Sequence, residues 1–378
     1  MKDLCISTSR NISSRDWQSL FVAAFLSLLL PVSNSAHATD AALSAAPRDC
    51  VTANDVIPIC GLVGPEDVEL LKDGQTLVVS ELPAEFEHPH GPGLMLADLT
   101  NNTSRPLPIR IERETGWGVA SCLAPPAIGL STHGIHLSTR TDGRTQLLVV
   151  NHSAGDSIQA FELVGDKGNY QAVWRGCAVF NGGAFNDVAA LPGGGFVATV
   201  MLDKDLIKDQ NPLDVMLSGK NTGYLVEWHP ETGFRRLPES EAALSNGVQV
   251  SQDGRYIYFT AWTSRQVERY DRSQHKVTGT AETAFYPDNI SVQPDGSMLV
   301  TGIDDMAAFR NCTKAQGGFC SRLLAFTVAR FDAETMKITP YYHAAVGTLA
   351  GGSVALQVGG RLYMGTYTGD RLVSVKAP

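Results

Sequence analysis

The chain has 378 residues and a formal net charge of −9. It carries no Arg-rich run or basic stripe, which argues against a nucleic-acid partner. Its 36 glycines punctuate short runs of Val, Ile, Leu, Tyr and Thr, a composition that favours an all-β chain with many turns over a helical one.

The first element is a processing segment. Lys2, Arg10 and Arg15 precede an apolar run at residues 20–32, and Ala36-His37-Ala38 follows as a small-residue cleavage site. That run is short of the roughly 20 apolar residues a bilayer span needs. Residues 1–38 are therefore expected to be a signal peptide and 39–378 the mature domain, exported to the periplasm or the external medium. An uncleaved anchor is the alternative, and Pro31 with the Ala-x-Ala site argues against it. No later segment is long and apolar enough to span a membrane.

Cys5 leaves with the signal, and six cysteines remain. An even number in an exported chain suggests disulfides. Sequence does not settle the pairing. Pairing of chain neighbours gives Cys50–Cys60, Cys122–Cys177 and Cys312–Cys320. Zinc is disfavoured because no Cys-x-x-Cys pair is present.

One pattern then recurs through the chain, a Gly-bearing turn followed by an apolar strand. The turns are Asp73-Gly74, Asp142-Gly143, Gly193-Gly194, Asp253-Gly254, Asp295-Gly296 and Gly359-Gly360. Such pairs supply the positive φ that two-residue hairpins require. Their spacing is about that of a four-stranded blade. The expected fold is an all-β, six-bladed propeller with four-stranded blades around a central tunnel. No sustained helical periodicity is visible. The polar stretch 203–223 reads as a loop with a short helix.

Seven residues before each turn stand Glu66, Ile135, Asn186, Asn246, Asp288 and Gly352, with Asp67, Asp187 and Asn289 beside three of them. Six or seven residues cross one strand, so these positions gather at the tunnel mouth away from the hairpins. Carboxylates and carboxamides are the donors calcium takes. Glu66, Asn186, Asn246, Asp288 and Asn289 are expected to hold one Ca2+. Asp67, Asp187 and the carbonyl of Ile135 are expected to hold a second, deeper one. No thiol or imidazole belongs to the set, which disfavours zinc and copper.

His133 lies two residues before Ile135, and His152 ends the next strand. A histidine beside such an ion can act as general base on water, with a second orienting it or shuttling its proton. No G-x-S-x-G elbow, H-E-x-x-H helix or P-loop lysine is present.

Several stretches together resemble the paraoxonases, calcium-dependent lactonases and arylesterases. They include GPEDVELLKDGQTLVVS, HGIHLSTRTDGRTQLLVVNHSAGDSIQAFEL, FNDVAALPGG, SNGVQVSQDGRYIYFT, DNISVQPDGSMLV and GGSVALQVGGRLYMGT. The resemblance covers residues 64–367 and implies a six-bladed propeller with two calcium ions. It matches Glu66, Asn186, Asn246, Asp288 and Asn289 to the catalytic ion, and Asp67, Asp187 and Ile135 to the structural one. It matches His133 and His152 to a histidine dyad.

Three departures stand out. The chain ends in RLVSVKAP without the cysteine that closes the family's propeller. Gly302-Ile303-Asp304-Asp305 replaces a segment bearing a pocket-wall histidine. The stretch 203–223 differs where the family has an active-site cover.

The expected activity is calcium-dependent hydrolysis of small lactones and aryl esters by a monomer or weak homo-oligomer. A non-catalytic, calcium-bound propeller acting as a binding module is the alternative, because fold alone does not fix function. A strictosidine-synthase-like condensation is disfavoured by the intact acid and amide pairs.

Overall fold

The computed structural model describes residues 50–85, 93–316, 320 and 323–378. The expected signal peptide, and His88 and His90, lie outside the described residues. No helix among the described residues is long and apolar enough to cross a membrane.

Each turn predicted from sequence does join two antiparallel strands; Gly359-Gly360 is the two-residue form, with Val358 opposite Arg361, and the other five are longer. The amides of Gly74, Gly143, Gly254 and Gly296 donate to the carbonyls of Leu71, Arg140, Ser251 and Gln293. Those four glycines have φ between 69° and 83°, a region side chains avoid. The preceding aspartate closes the turn: Asp73 Oδ1 accepts the amides of Gln75 and Thr76, both at 2.9 Å.

Six sheets result, each read from inner to outer strand. Blade 1 comprises Pro65–Leu70, Thr76–Glu81, Leu94–Asp98 and Thr103–Pro106. Blade 2 comprises Thr132–Thr139, Thr145–Asn151, Ser157–Asp166 and Asn169–Val179, with a parallel fifth strand, Ile109–Ile111, on its outer edge. Blades 3, 4 and 5 begin at Gly183–Ala190, Ser245–Val250 and Tyr286–Val292. Blade 6 comprises Gly352–Val358, Arg361–Thr366 and Arg371–Lys376, and its fourth strand is Ile57–Cys60 from the start of the domain. The six inner strands touch their neighbours in a closed circle.

Closure is therefore made by strand pairing between the two ends of the domain, Ile59 opposite Leu372. This resolves the missing terminal cysteine. The three disulfides are Cys50–Cys60, Cys122–Cys177 and Cys312–Cys320. The first ties Cys50 to the closing strand through Cys60.

The core is not one mass. Six apolar clusters each lie between successive blades, such as Ile59, Leu77, Val79 and Leu372 between blades 6 and 1. Alternate residues of each strand serve these seams, as stacked sheets require. A seventh cluster lies over one mouth of the tunnel and includes Met201, Leu244, Trp262, Ile303 and Phe309.

Helices contribute to that seventh cluster. The stretch 203–223 folds as two short helices, Lys204–Ile207 and Pro212–Met216, capped by Asp203 and by Asn211 before Pro212. A third helix, Met306–Gln316, was not visible as a periodic pattern. Its start is capped by Asp305, whose Oδ1 accepts the Ala308 amide at 2.9 Å. An aspartate before MAAF is a recognisable helix start. Arg310 donates to the Leu217 carbonyl and so ties the third helix to the end of the second.

Candidate metal centre and active site

All six inner strands break register with their neighbours at the same level. The irregularities fall after Pro65, Thr132, Phe185, Ser245, Pro287 and Gly352. A bulge re-aims side chains and occurs often beside functional sites. It lets two consecutive residues per blade face the tunnel.

The first ring is Glu66, His133, Asn186, Asn246, Asp288 and Ser353. The second is Asp67, Gly134, Asp187, Gly247, Asn289 and Val354. Counting back seven residues thus fails in two blades, where it selects Ile135 and Gly352. The inner strand of blade 2 runs two residues further before its turn, and that of blade 6 one residue less. His133 is a member of the ring rather than its neighbour.

In the second ring Gly134 and Gly247 each leave room for the polar residue of the next blade, while Val354 packs into the seam between blades 6 and 1. A Cβ on Gly134 would collide with the Asp187 carboxylate, and one on Gly247 would meet Asn289 Cα at 2.6 Å.

Glu66, Asn186, Asn246 and Asp288 line one cavity with His133, walled by Leu82, Met201, Met216, Leu244, Trp262, Ile303, Phe309 and Tyr367. Asn289 Nδ2 donates to Glu66 Oε1 at 2.7 Å. All five oxygen-bearing residues are buried, from 1 % exposed at Glu66 to 9 % at Asp288. Yet Glu66 Oε2 and the Oδ1 atoms of Asn186, Asn246 and Asn289 accept no hydrogen bond. Buried polar atoms normally find partners, and four such acceptors in one site form a donor set that fits a cation.

The carboxylates below are satisfied in part. Asp67 accepts the amides of Val68 and Ile135, each at 2.8 Å. Asp187 accepts those of Val188 and Val248, each at 2.7 Å. Ile135 thus offers Asp67 its N–H.

Burial pushes Asp67 and Asp288 up to about 7, with Asp67 adding repulsion to Asp288. Burial, then repulsion from Asp288, Asp67 and Asp187, holds Glu66 well above the usual carboxylate range. Burial and then Asp67 do the same to Asp187. Among the described residues no lysine or arginine pairs with these four. No three His, Cys, Asp or Glu among the described residues gather as a metal cluster on their own. The donor set is carboxylate and carboxamide mixed, which suits a hard cation with many oxygen ligands.

His133 Nε2 accepts from Asn186 Nδ2 at 3.4 Å and lies 4.0 Å from Glu66 Oε1. Its Nδ1 is 2.9 Å from His152 Nε2. His152 Nδ1 is 3.0 Å from Asp156 Oδ1. Burial, then His152, lowers the pKa of His133 well below that of free imidazole, so it is neutral at pH 7. Asp156 was not singled out in the sequence. Its position four residues after His152, in a Ser-Ala-Gly-Asp turn, was the available signal.

A larger, open cleft lies at the seam of blades 2 and 3, lined by Trp117, His136, Arg140, Gly194 and Trp228. It holds none of the oxygen set, which lines the smaller cavity.

The propeller mouth thus joins buried oxygen donors to a histidine pair under an apolar cover, and the family match gives the class, a propeller of the lactonase and esterase type. The model of the arylesterase family matches residues 63–373, and the chain belongs to that family. It is 25 % identical over 328 residues to human serum paraoxonase/arylesterase 1, covering 82 % of this chain and 86 % of that protein. It is 27 % identical over 93 residues to the Arabidopsis thaliana protein strictosidine synthase-like 13, about a quarter of each chain (24 % and 23 %). Among solved structures, a luciferin-regenerating enzyme superposes at a TM-score of 0.47 with 12 % identity, covering 85 % of this chain and 94 % of that one. The calcium-binding protein regucalcin of Agrobacterium tumefaciens superposes at 0.44 with 12 % identity, covering 84 % and 90 %.

Proposed function

We propose that the chain is an exported, calcium-dependent hydrolase of lactones and aryl esters. The observation that carries this reading is the set of buried acceptor oxygens without partners on Glu66, Asn186, Asn246 and Asn289, beside His133 in one cavity. Glu66, Asn186, Asn246, Asp288 and Asn289 would hold the ion at the mouth. Asp67 and Asp187, with Ile135, would hold a second beneath it. When bound, calcium supplies a positive centre that polarises a carbonyl and favours its developing oxyanion.

The chain's own groups do the rest. His133, neutral in its buried site, accepts a proton from attacking water. His152 holds the His133 ring by its Nδ1. The apolar wall of Met216, Trp262, Phe309 and Tyr367 binds the hydrocarbon part of the substrate and excludes bulk water. The three disulfides support export, and residues 1–38 would be the signal.

The test is hydrolysis of phenyl acetate and of a lactone, with and without chelator. Activity lost to chelator and restored by calcium but not zinc supports the reading. Calcium binding with no turnover would favour a binding module.

A further inference from the structure

We propose that Asp156 is a positioning residue that fixes the tautomers of both imidazoles, so that His133 presents Nε2 to the cavity as its basic nitrogen. This rests on the hydrolase reading above.

The argument is one of polarity. An ionised carboxylate only accepts hydrogen bonds. The 3.0 Å contact between Asp156 Oδ1 and His152 Nδ1 therefore places a hydrogen on that nitrogen. In a singly protonated ring, His152 Nε2 is then the acceptor nitrogen. The 2.9 Å contact with His133 Nδ1 must be filled by an N–H from His133. That leaves His133 Nε2 as the lone-pair nitrogen, and it is the one facing Asn186 and Glu66. One carboxylate thus sets the direction of a three-residue chain. Without it, either ring can reverse, and His133 would present an N–H to the cavity.

The turn is built to hold this direction. Asp156 Oδ1 also accepts the Phe185 amide at 2.8 Å, next to Asn186. Asn151, fully buried, braces the turn from Nδ2 to the Ser153 carbonyl at 2.9 Å and to Ser157 Oγ at 3.1 Å.

In the reaction, one O–H bond of water breaks as its oxygen bonds to the carbonyl carbon. The proton moves to His133 Nε2, and the resulting imidazolium donates through Nδ1 toward His152 and the Asp156 charge. The same proton later passes to the departing alkoxide or phenoxide.

The experiment compares Asp156→Ala and Asp156→Asn with wild type, and reads ring tautomers by 15N NMR of histidine-labelled protein. Asp156→Ala removes the acceptor that faces His152 Nδ1, whereas Asp156→Asn keeps Oδ1, the atom that meets both His152 Nδ1 and the Phe185 amide. The expected result for Asp156→Ala is a kcat about 10- to 100-fold lower, with KM and the calcium-induced rise in Tm unchanged. Asp156→Asn, which restores the acceptor, should exceed Asp156→Ala in kcat. Wild-type His152 and the asparagine variant should show the Nδ1–H form, and the alanine variant a mixture.

Wild-type kcat in Asp156→Ala, or an Nε2–H form of His152 in wild type, overturns the proposal while leaving the hydrolase reading intact. If the wild type hydrolyses no ester or lactone although His152 shows the Nδ1–H form, the hydrolase reading falls and the role goes with it.

Discussion

Asn289 of blade 5 donates its side-chain amide to Glu66 of blade 1 over 2.7 Å, across 223 residues of chain. This bond aligns the Asn289 carboxamide so that its oxygen, like Glu66 Oε2, faces away with no partner. Both residues are held in a geometry that exposes acceptors to one another's neighbourhood. Such an arrangement gathers acceptors at one point, a repulsion which the proposed ion would offset.

The first prediction tests that repulsion. Glu66→Gln keeps the shape and removes one buried charge. Without calcium the variant should melt no lower than wild type and up to a few degrees higher, because burial and three nearby carboxylates already disfavour the Glu66 charge. With calcium, the ion-induced rise in Tm should shrink, and hydrolysis should fall about 100-fold or more. Thermal melts with chelator and with calcium measure both signs. A variant that gains as much from calcium as wild type would remove Glu66 from the ligand set.

A second prediction concerns pH. Asp67 and Asp288 titrate at about 7 in the folded, ion-free chain, against about 4 when unfolded. Glu66 and Asp187 are raised in the same direction. The folded state then binds more protons than the unfolded state between those limits. Stability is fully present below about pH 4 and is lost as pH rises through about 7. The chelated protein should therefore melt higher at pH 5.5 than at pH 7.5. Calcium competes with those protons, so the calcium-induced increment should be larger at pH 7.5. Melts at the two pH values, with each buffer run in chelator and in calcium, decide it.

The cover supplies a third. Arg310 on the helix Met306–Gln316 donates to the Leu217 carbonyl, just past the helix Pro212–Met216. The two helices bring Phe309 and Met216 into the cavity wall. Phe309 also packs edge-on against Trp262 and Tyr367, with ring centroids 5.4 and 5.8 Å apart. Arg310→Ala should loosen the cover without touching the oxygen donors. KM for an apolar ester should rise several-fold with kcat changed less than about twofold, since the lost contact holds substrate rather than the reacting atoms. An equal fall in kcat and kcat/KM would instead tie Arg310 to the chemical step.

How much of this was legible depends on how local each signal is. The turns at Asp73-Gly74 and Asp253-Gly254 were readable because their chemistry sits within four residues. Glu66, Asn186, Asn246 and Asp288 were readable because four blades share one strand length. His133 was displaced from the ring in the reading because the inner strand of blade 2 is two residues longer before its turn. The level is set by contact with neighbouring blades, which sequence does not display. The helix Met306–Gln316 buries only Met306, Phe309, Cys312 and Thr313, a narrow and partly polar stripe whose period does not stand out. Asp156 was missed because its value comes from a turn that folds it back onto His152. Closure by Ile57–Cys60 was missed because a four-residue strand pairing with the far end of the chain leaves no local trace.

That closing strand gives the last prediction. Ile59 is fully buried between blades 6 and 1, against Leu77 and Leu372, and its backbone pairs with Leu372. A propeller has no central core to compensate for a weak seam, since each blade packs only on its neighbours. Ile59→Ala leaves the ladder intact but opens a cavity at the one seam where the chain's two ends meet. It should cost about 2–5 kcal/mol, as other Ile-to-Ala changes in cores do. Ile59 sits on the outermost strand of blade 6, away from the inner strand that borders the tunnel, so hydrolysis measured well below the melting temperature should stay within about twofold of wild type. Chemical denaturation and a steady-state assay on the same preparation test both halves. Full activity with a loss under about 1 kcal/mol would mean that the disulfide Cys50–Cys60 and the strand ladder carry the closure without the side chain.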